Sequence, residues 1–247
     1  GAVDIPSTIN GLPVTRLGVG AFKGNANLIK VTIPDSVTII GFESFGGCTS
    51  LTSVTIGNRV TTFWDLAFAG CSSLTDVNIP QSVSYIGQTA FGGCANLNAI
   101  TVEASNAFFS SVDGVLFDLT QTTLIQFPSG RAGSYTIPKG VTRIGNGAFD
   151  SRNNLGSVTI PENATSIGDG AFYGCTGLLS ITIPDSVTNV GYAAFSYCSA
   201  LTSVIIGKGL TGIGVDTFSN CSSLASVIIP SSVTTIEGNS FRNCTGL

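Results

Sequence analysis

Cysteines are the residues of this chain best suited to chemistry, and there are seven of them, regularly spaced. Cys48, Cys71 and Cys94 form one run and Cys175, Cys198, Cys221 and Cys244 a second, with neighbours in each run 23 residues apart. In stacked coils, residues one repeat apart have Cα atoms about 5 Å apart, inside disulfide range. Such side chains run parallel, however, whereas a disulfide needs converging Cβ vectors, and seven is an odd number. Zinc favours a compact C-x2–4-C knuckle, which is nowhere present. The favoured reading is a column of small, reduced side chains in the core, since cysteine is among the most buried residue types.

Other chemistry is scarce. There is no histidine, which removes Ser-His-Asp and Cys-His pairs, imidazole metal ligands and a pH switch near neutrality. Glu103, Asp113 and Asp118 do not match the spacing of a calcium loop, and no Gly-rich stretch carries a P-loop lysine. The sequence indicates no enzyme, no cofactor and no metal.

The cysteines mark a longer repeat, and repeats outrank every local signal. Aligned on them, the chain reads L-x-x-V-x-I-P-x-S-V-T-x-I-G-x-x-A-F-x-G-C-x-x, with full copies from Leu28, Leu51, Leu74, Leu155, Leu178, Leu201 and Leu224. Val54 and Ile56 are two apart, so they share one face of a short strand, with Ser53 and Thr55 on the other. A proline follows in most copies, such as Pro34, Pro80 and Pro184; lacking an N–H, it ends the strand. Phe, Cys and Leu at i, i+3 and i+6 (Phe45, Cys48, Leu51) suit one or two turns of α or 3-10 helix. One such coil cannot bury its apolar face alone, but a stack can. At about 4.8 Å per strand, roughly ten coils would extend some 45–50 Å.

The pattern "LTSVTIP.SVT.IG..AF.GC" resembles the leucine-rich repeat of the treponemal, BspA-like type, over nearly the whole chain. That resemblance implies a repeat solenoid of horseshoe-like α/β form, strand-rich, with short 3-10 or α turns on the convex side and the strands lining a concave sheet. It also implies a secreted or surface protein, mostly of bacteria, with an adhesion role and no catalytic motif. We expect one leucine-rich-repeat domain over 1–247: an N-terminal repeat or cap at 1–27, regular repeats at 28–96, an irregular repeat at 97–134 and regular repeats at 135–247, cut off partway through a copy. Within 97–134, the runs "GVLFD" and "TTLIQF" about Leu119-Thr120-Gln121 read as a β-hairpin. Where a cysteine is due after Phe149 the chain has Arg152.

The outward strand positions are the candidate partner-binding residues: Lys30, Thr32, Ser53, Thr55, Asp76, Asn78, Ser157, Thr159, Ser180, Thr182 and Ser203. A hydroxyl-rich strip serves solubility and β-propensity, and solenoids also use this curve to recognise a protein or glycan. Trp64, the only tryptophan, stands in a turn slot usually held by glycine; it either fills a local gap or offers a binding hot spot. Tyr173, Tyr192 and Tyr197 fall on neighbouring coils of the turn side, as a small sugar-stacking patch or as ordinary surface aromatics.

Charged residues make up 10% of the chain and the net charge is −4, which favours neither nucleic acid nor an anionic membrane. No stretch approaches the ~20 apolar residues of a membrane span. The expected function is therefore a non-catalytic extracellular binding or adhesion module using the concave strand face. The alternative is a structural spacer, or a unit that assembles end to end as a homo-oligomer.

Overall fold

The computed structural model describes residues 1–247 as strands of two to five residues joined by turns, with no helix. The chain forms two compact units, residues 1–120 with 128–130, and residues 121–127 with 131–247.

In the first unit, Ala2–Asp4, Lys30–Thr32 and Ser53–Thr55 form a parallel sheet in which Val3, Val31 and Val54 are aligned. Asp76–Ile79 pairs in the same sense with Ala99–Val102. The second apolar pair of each repeat builds a second parallel sheet from Arg16–Leu17, Ile39–Ile40, Thr62–Phe63 and Tyr85–Ile86. Between the sheets the chain turns at the predicted place, where Val37 N–H donates to the Pro34 carbonyl at 3.0 Å and Val83 N–H to that of Pro80 at 3.2 Å.

The second unit repeats the plan. Gly133–Thr136, Leu155–Thr159, Ser180–Ile183, Ser203–Ile206 and Ser226–Ile228 form one parallel sheet. Thr123–Gln126, Arg143–Ile144, Ser166–Ile167 and Asn189–Val190 form another, followed by Gly212–Ile213 paired with Thr235–Ile236.

The expected helical turns are absent, and the hydrogen bonds show why. Phe45 N–H and Gly47 N–H donate across to Ala67 and Ala69 in the next coil at 2.8 and 2.7 Å, whereas Gly46 and Cys48 donate back to Glu43 and Phe45 of their own coil. A helix would direct all four amides inward along itself. The alternation is set by two left-handed residues per coil, four apart: Glu43 and Gly47 (φ 50° and 70°), Leu66 and Gly70 (58° and 72°), Thr89 and Gly93 (48° and 66°). The Phe, Cys and Leu of this segment still point inward, which is why a helix and this ladder of turns share one sequence pattern.

Those inward rings form the spine of each core. Phe22, Phe45, Phe68 and Phe91 stack in the first unit at 5.1, 5.1 and 5.6 Å between centroids. Phe149, Phe172, Phe195, Phe218 and Phe241 stack in the second at 4.8–5.4 Å, within 11° of parallel. Stacked aromatic pairs contribute about 0.5–1.5 kcal/mol each beyond area burial.

The irregular stretch departs from this plan. Phe109–Val112 and Val115–Asp118 are an antiparallel hairpin closed by Asp113-Gly114, with φ of 48° and 72°. That is the two-residue turn whose twist suits a hairpin. The two runs expected on either side of Leu119-Thr120-Gln121 are also strands, Val115–Asp118 and Thr123–Gln126, so the Asp113-Gly114 turn is an additional one. Buried Asn106 anchors its approach, donating to the Pro80 and Val83 carbonyls at 2.8 and 2.9 Å and accepting from Phe108 and Phe109 N–H.

Candidate functional site

Side chains alternate across each strand, so the faces opposite the Val and Ile columns carry the candidate residues. In the first unit Lys30, Thr32, Ser53, Thr55, Asp76 and Asn78 are all exposed, with Lys30 beside Ser53 and Thr32 beside Thr55 in the register. Asn78 is bonded sideways, its Oδ1 accepting from Thr101 Oγ1 at 3.1 Å.

The second unit brings its candidates into rows. Ser134, Ser157, Ser180, Ser203 and Ser226 are consecutive partners across five strands; two residues further along, Thr136 partners Thr159, and Thr182, Ile205 and Ile228 are consecutive partners. Ser157, Thr159, Ser180 and Thr182 are exposed and Ser203 is half-buried. Ser134 and Thr136 belong to these rows although the sequence reading did not include them. Ile205 and Ile228 make the far end of the face apolar, at 46% and 62% exposure. At the strand ends, a hollow of about 460 Å³ is lined by Thr136, Ile137, Lys139, Thr159 and Glu162. A neighbouring one of about 250 Å³ reaches Ser157, Ser180 and Thr182. The face thus combines hydroxyls that donate and accept, one cation and one carboxylate at the rim (Lys139 and Glu162), and apolar ground beside them.

Trp64 is 43% exposed and its ring lies 5.9 Å from that of Tyr85 on the next coil, itself exposed. The pair forms an aromatic patch on the first unit.

The cysteines are elsewhere. Cys48, Cys71, Cys94, Cys175, Cys198 and Cys221 are fully buried, Cys244 is half-buried, and no disulfide joins them. Each Sγ–H donates to the phenylalanine carbonyl 26 residues earlier, at 2.9–3.1 Å: Cys48 to Phe22, Cys71 to Phe45, Cys94 to Phe68, Cys175 to Phe149, Cys198 to Phe172, Cys221 to Phe195 and Cys244 to Phe218. The Phe45 carbonyl also accepts from Cys48 N–H in its own coil, so the thiol of the next coil engages its second lone pair. Burial pushes the Cys175 thiol up to about 12 and raises those of Cys48 and Cys244. A thiolate is the nucleophile and metal ligand, and burial suppresses it at these three. Arg152 holds the same slot in its coil: it is buried, and its Nε donates to the Phe127 carbonyl at 2.7 Å.

Short parallel strands recurring once per 23-residue repeat in each sheet, with an apolar inner side and an uncovered outer side, are the build of a leucine-rich-repeat protein. The chain belongs to the BspA-type leucine-rich-repeat family, whose profile matches residues 15–132 and 127–247. It is similar to a leucine-rich repeat protein from Eubacterium ventriosum, at 30% identity and a TM-score of 0.82 over 100% of this chain and 71% of that one. It is also similar to a leucine rich cell surface protein from Faecalibacterium prausnitzii, at 30% identity and 0.72 over 100% and 86%. The pneumococcal vaccine antigen PcpA shares the fold, at 24% identity and 0.74 over 94% and 68%. No curated protein matches the sequence. No helix is long and apolar enough to cross a membrane.

Proposed function

We propose that this chain is a non-catalytic binding module working outside the cell, and that it holds a protein partner across the strand face of its second unit. The observation that carries this reading is the pair of aligned rows, Ser134 to Ser226 and Thr136 to Ile228, with nothing in the chain covering them. Strand hydroxyls fixed by the backbone register lose little conformational freedom on binding, and the exposed isoleucines supply apolar area beside them. Similar proteins described as a cell surface protein and a vaccine antigen support the extracellular setting. The first unit carries a comparable exposed face, from Lys30 to Asn78, and the aromatic pair of Trp64 and Tyr85.

The test is binding to immobilised extracellular-matrix proteins and to whole host cells, with the double variant Thr159→Lys/Ser180→Lys as the probe of the face. Both positions are exposed, so the variant should melt within a few degrees of the parent while binding falls at least tenfold. Equal binding by parent and variant would remove the face from consideration.

A further inference from the structure

The turn side of the second unit carries something the strand face does not. Tyr173, Tyr192 and Tyr197 are 40%, 58% and 49% exposed, and the rings of Tyr173 and Tyr197 lie 5.3 Å apart, tilted by 55°. They border a groove of about 470 Å³ whose other walls include Asp169, Asp216, Asn220 and Arg242. That size falls in the roughly 300–1,000 Å³ range of small-ligand sites.

We infer that this groove is a glycan subsite, taking a neutral hexopyranose unit with its C–H face on the tyrosine rings and its hydroxyls on the polar wall. Three features of the groove converge on that ligand class. Exposed tyrosines offer flat apolar faces with a wet edge, which suits a sugar ring better than a purely apolar ligand. The Asp169 carboxylate is held in place, Oδ1 accepting from Tyr192 N–H at 2.8 Å, and a carboxylate receives two adjacent hydroxyls in the way it receives a two-pronged donor. Finally, the rim combines two carboxylates with one guanidinium, so that an anion meets Asp169 and Asp216 and a cation meets Arg242. A neutral polyhydroxyl ligand uses all three.

Tyr197 adds an argument from the backbone. It has φ 61°, in the slot held by Gly24, Gly47, Gly70, Gly93 and Gly174 in other coils. A bulky residue at positive φ costs energy that glycine avoids. The groove therefore keeps a ring where the coil itself favours glycine.

This separates folding from binding. Tyr197→Gly should melt at or above the parent temperature and lose binding at least tenfold, as should Tyr192→Ala without the stability gain. The probe is a printed array of neutral oligosaccharides ending in glucose, galactose, mannose or N-acetylglucosamine, with hits quantified by calorimetry and a Lys/Arg-rich peptide run alongside. The strand-face variant Thr159→Lys/Ser180→Lys should bind the same sugars unchanged, so failure of that face and failure of this groove are distinguishable. Absence of any saccharide whose binding depends on Tyr197 would overturn the assignment, as would preferential binding of the cationic peptide.

Discussion

Cys175 Sγ–H donates to the Phe149 carbonyl, 2.9 Å away in the preceding coil, and that carbonyl also accepts from Arg152 N–H at 3.3 Å. The relationship recurs wherever a cysteine follows a phenylalanine, and it explains the residue type. The slot needs a small apolar volume and a weak donor at once. Alanine supplies only the first, whereas serine pays a larger desolvation penalty for its hydroxyl.

The thiols should therefore be silent in the native protein. With Cys175 raised to about 12 and its side chain fully buried, the thiolate that reacts with a disulfide reagent is scarce at pH 8 and out of reach. Titration should find Cys175, Cys198 and Cys221 unreactive until denaturant is added, with half-buried Cys244 reacting first. Rapid native labelling of several thiols would contradict the buried column.

Arg152 offers a sharper test, because it does the cysteine's task with a much larger side chain. Its Nε bonds the Phe127 carbonyl at 2.7 Å and Nη1 donates to the Asp150 carbonyl. Truncation in Arg152→Ala removes these donors and opens a cavity, which should cost on the order of 3 kcal/mol in denaturant melts. Arg152→Cys restores a donor of the kind every neighbouring coil uses, so its loss should be clearly smaller. Equal losses would mean that the slot is about volume alone.

Much of this architecture is legible from the cysteine spacing. A 23-residue period fixes which residue of one coil lies beside which residue of the next, and Ser180 does pair with Ser203 and Val31 with Val54. Three things resisted reading for physical reasons. The apolar spacing of Phe45, Cys48 and Leu51 suits a helix, and what forbids it is the left-handed pair Glu43 and Gly47, of which Glu43 gives by its type no hint of a positive φ. Ser134 and Thr136 are masked in the sequence because their strand carries Tyr135 where other copies have valine or isoleucine, and only the structure shows the register shift between Gly133 and Ser134 that aligns them. Asp113-Gly114 is a turn dipeptide, but the first strand of its hairpin, Phe109-Ser110-Ser111-Val112, lacks the apolar run that advertises one.

The left-handed slots give the last prediction, and it separates backbone strain from packing. Gly70 has φ 72°, and a Cβ there would meet only Gly47 backbone atoms at 3.5 Å, an ordinary contact. Gly70→Ala should therefore lose about 1–2 kcal/mol through the left-handed backbone alone. Gly207 is the contrasting case: its backbone is unstrained in this sense, yet a Cβ would lie 2.3 Å from the Pro184 carbonyl oxygen, so Gly207→Ala must push two coils apart and should lose more. Thr89 is the converse, a β-branched residue at φ 48° where glycine would be at ease. Thr89→Gly should gain about 0.5–1 kcal/mol, the relief of strain exceeding the extra unfolded-state entropy of glycine. Thermal melts of the three variants should fall in the order Thr89→Gly above parent, then Gly70→Ala, then Gly207→Ala. If Thr89→Gly melts below the parent, the turn ladder is held by the threonine side chain and the left-handed slot is not its controlling feature.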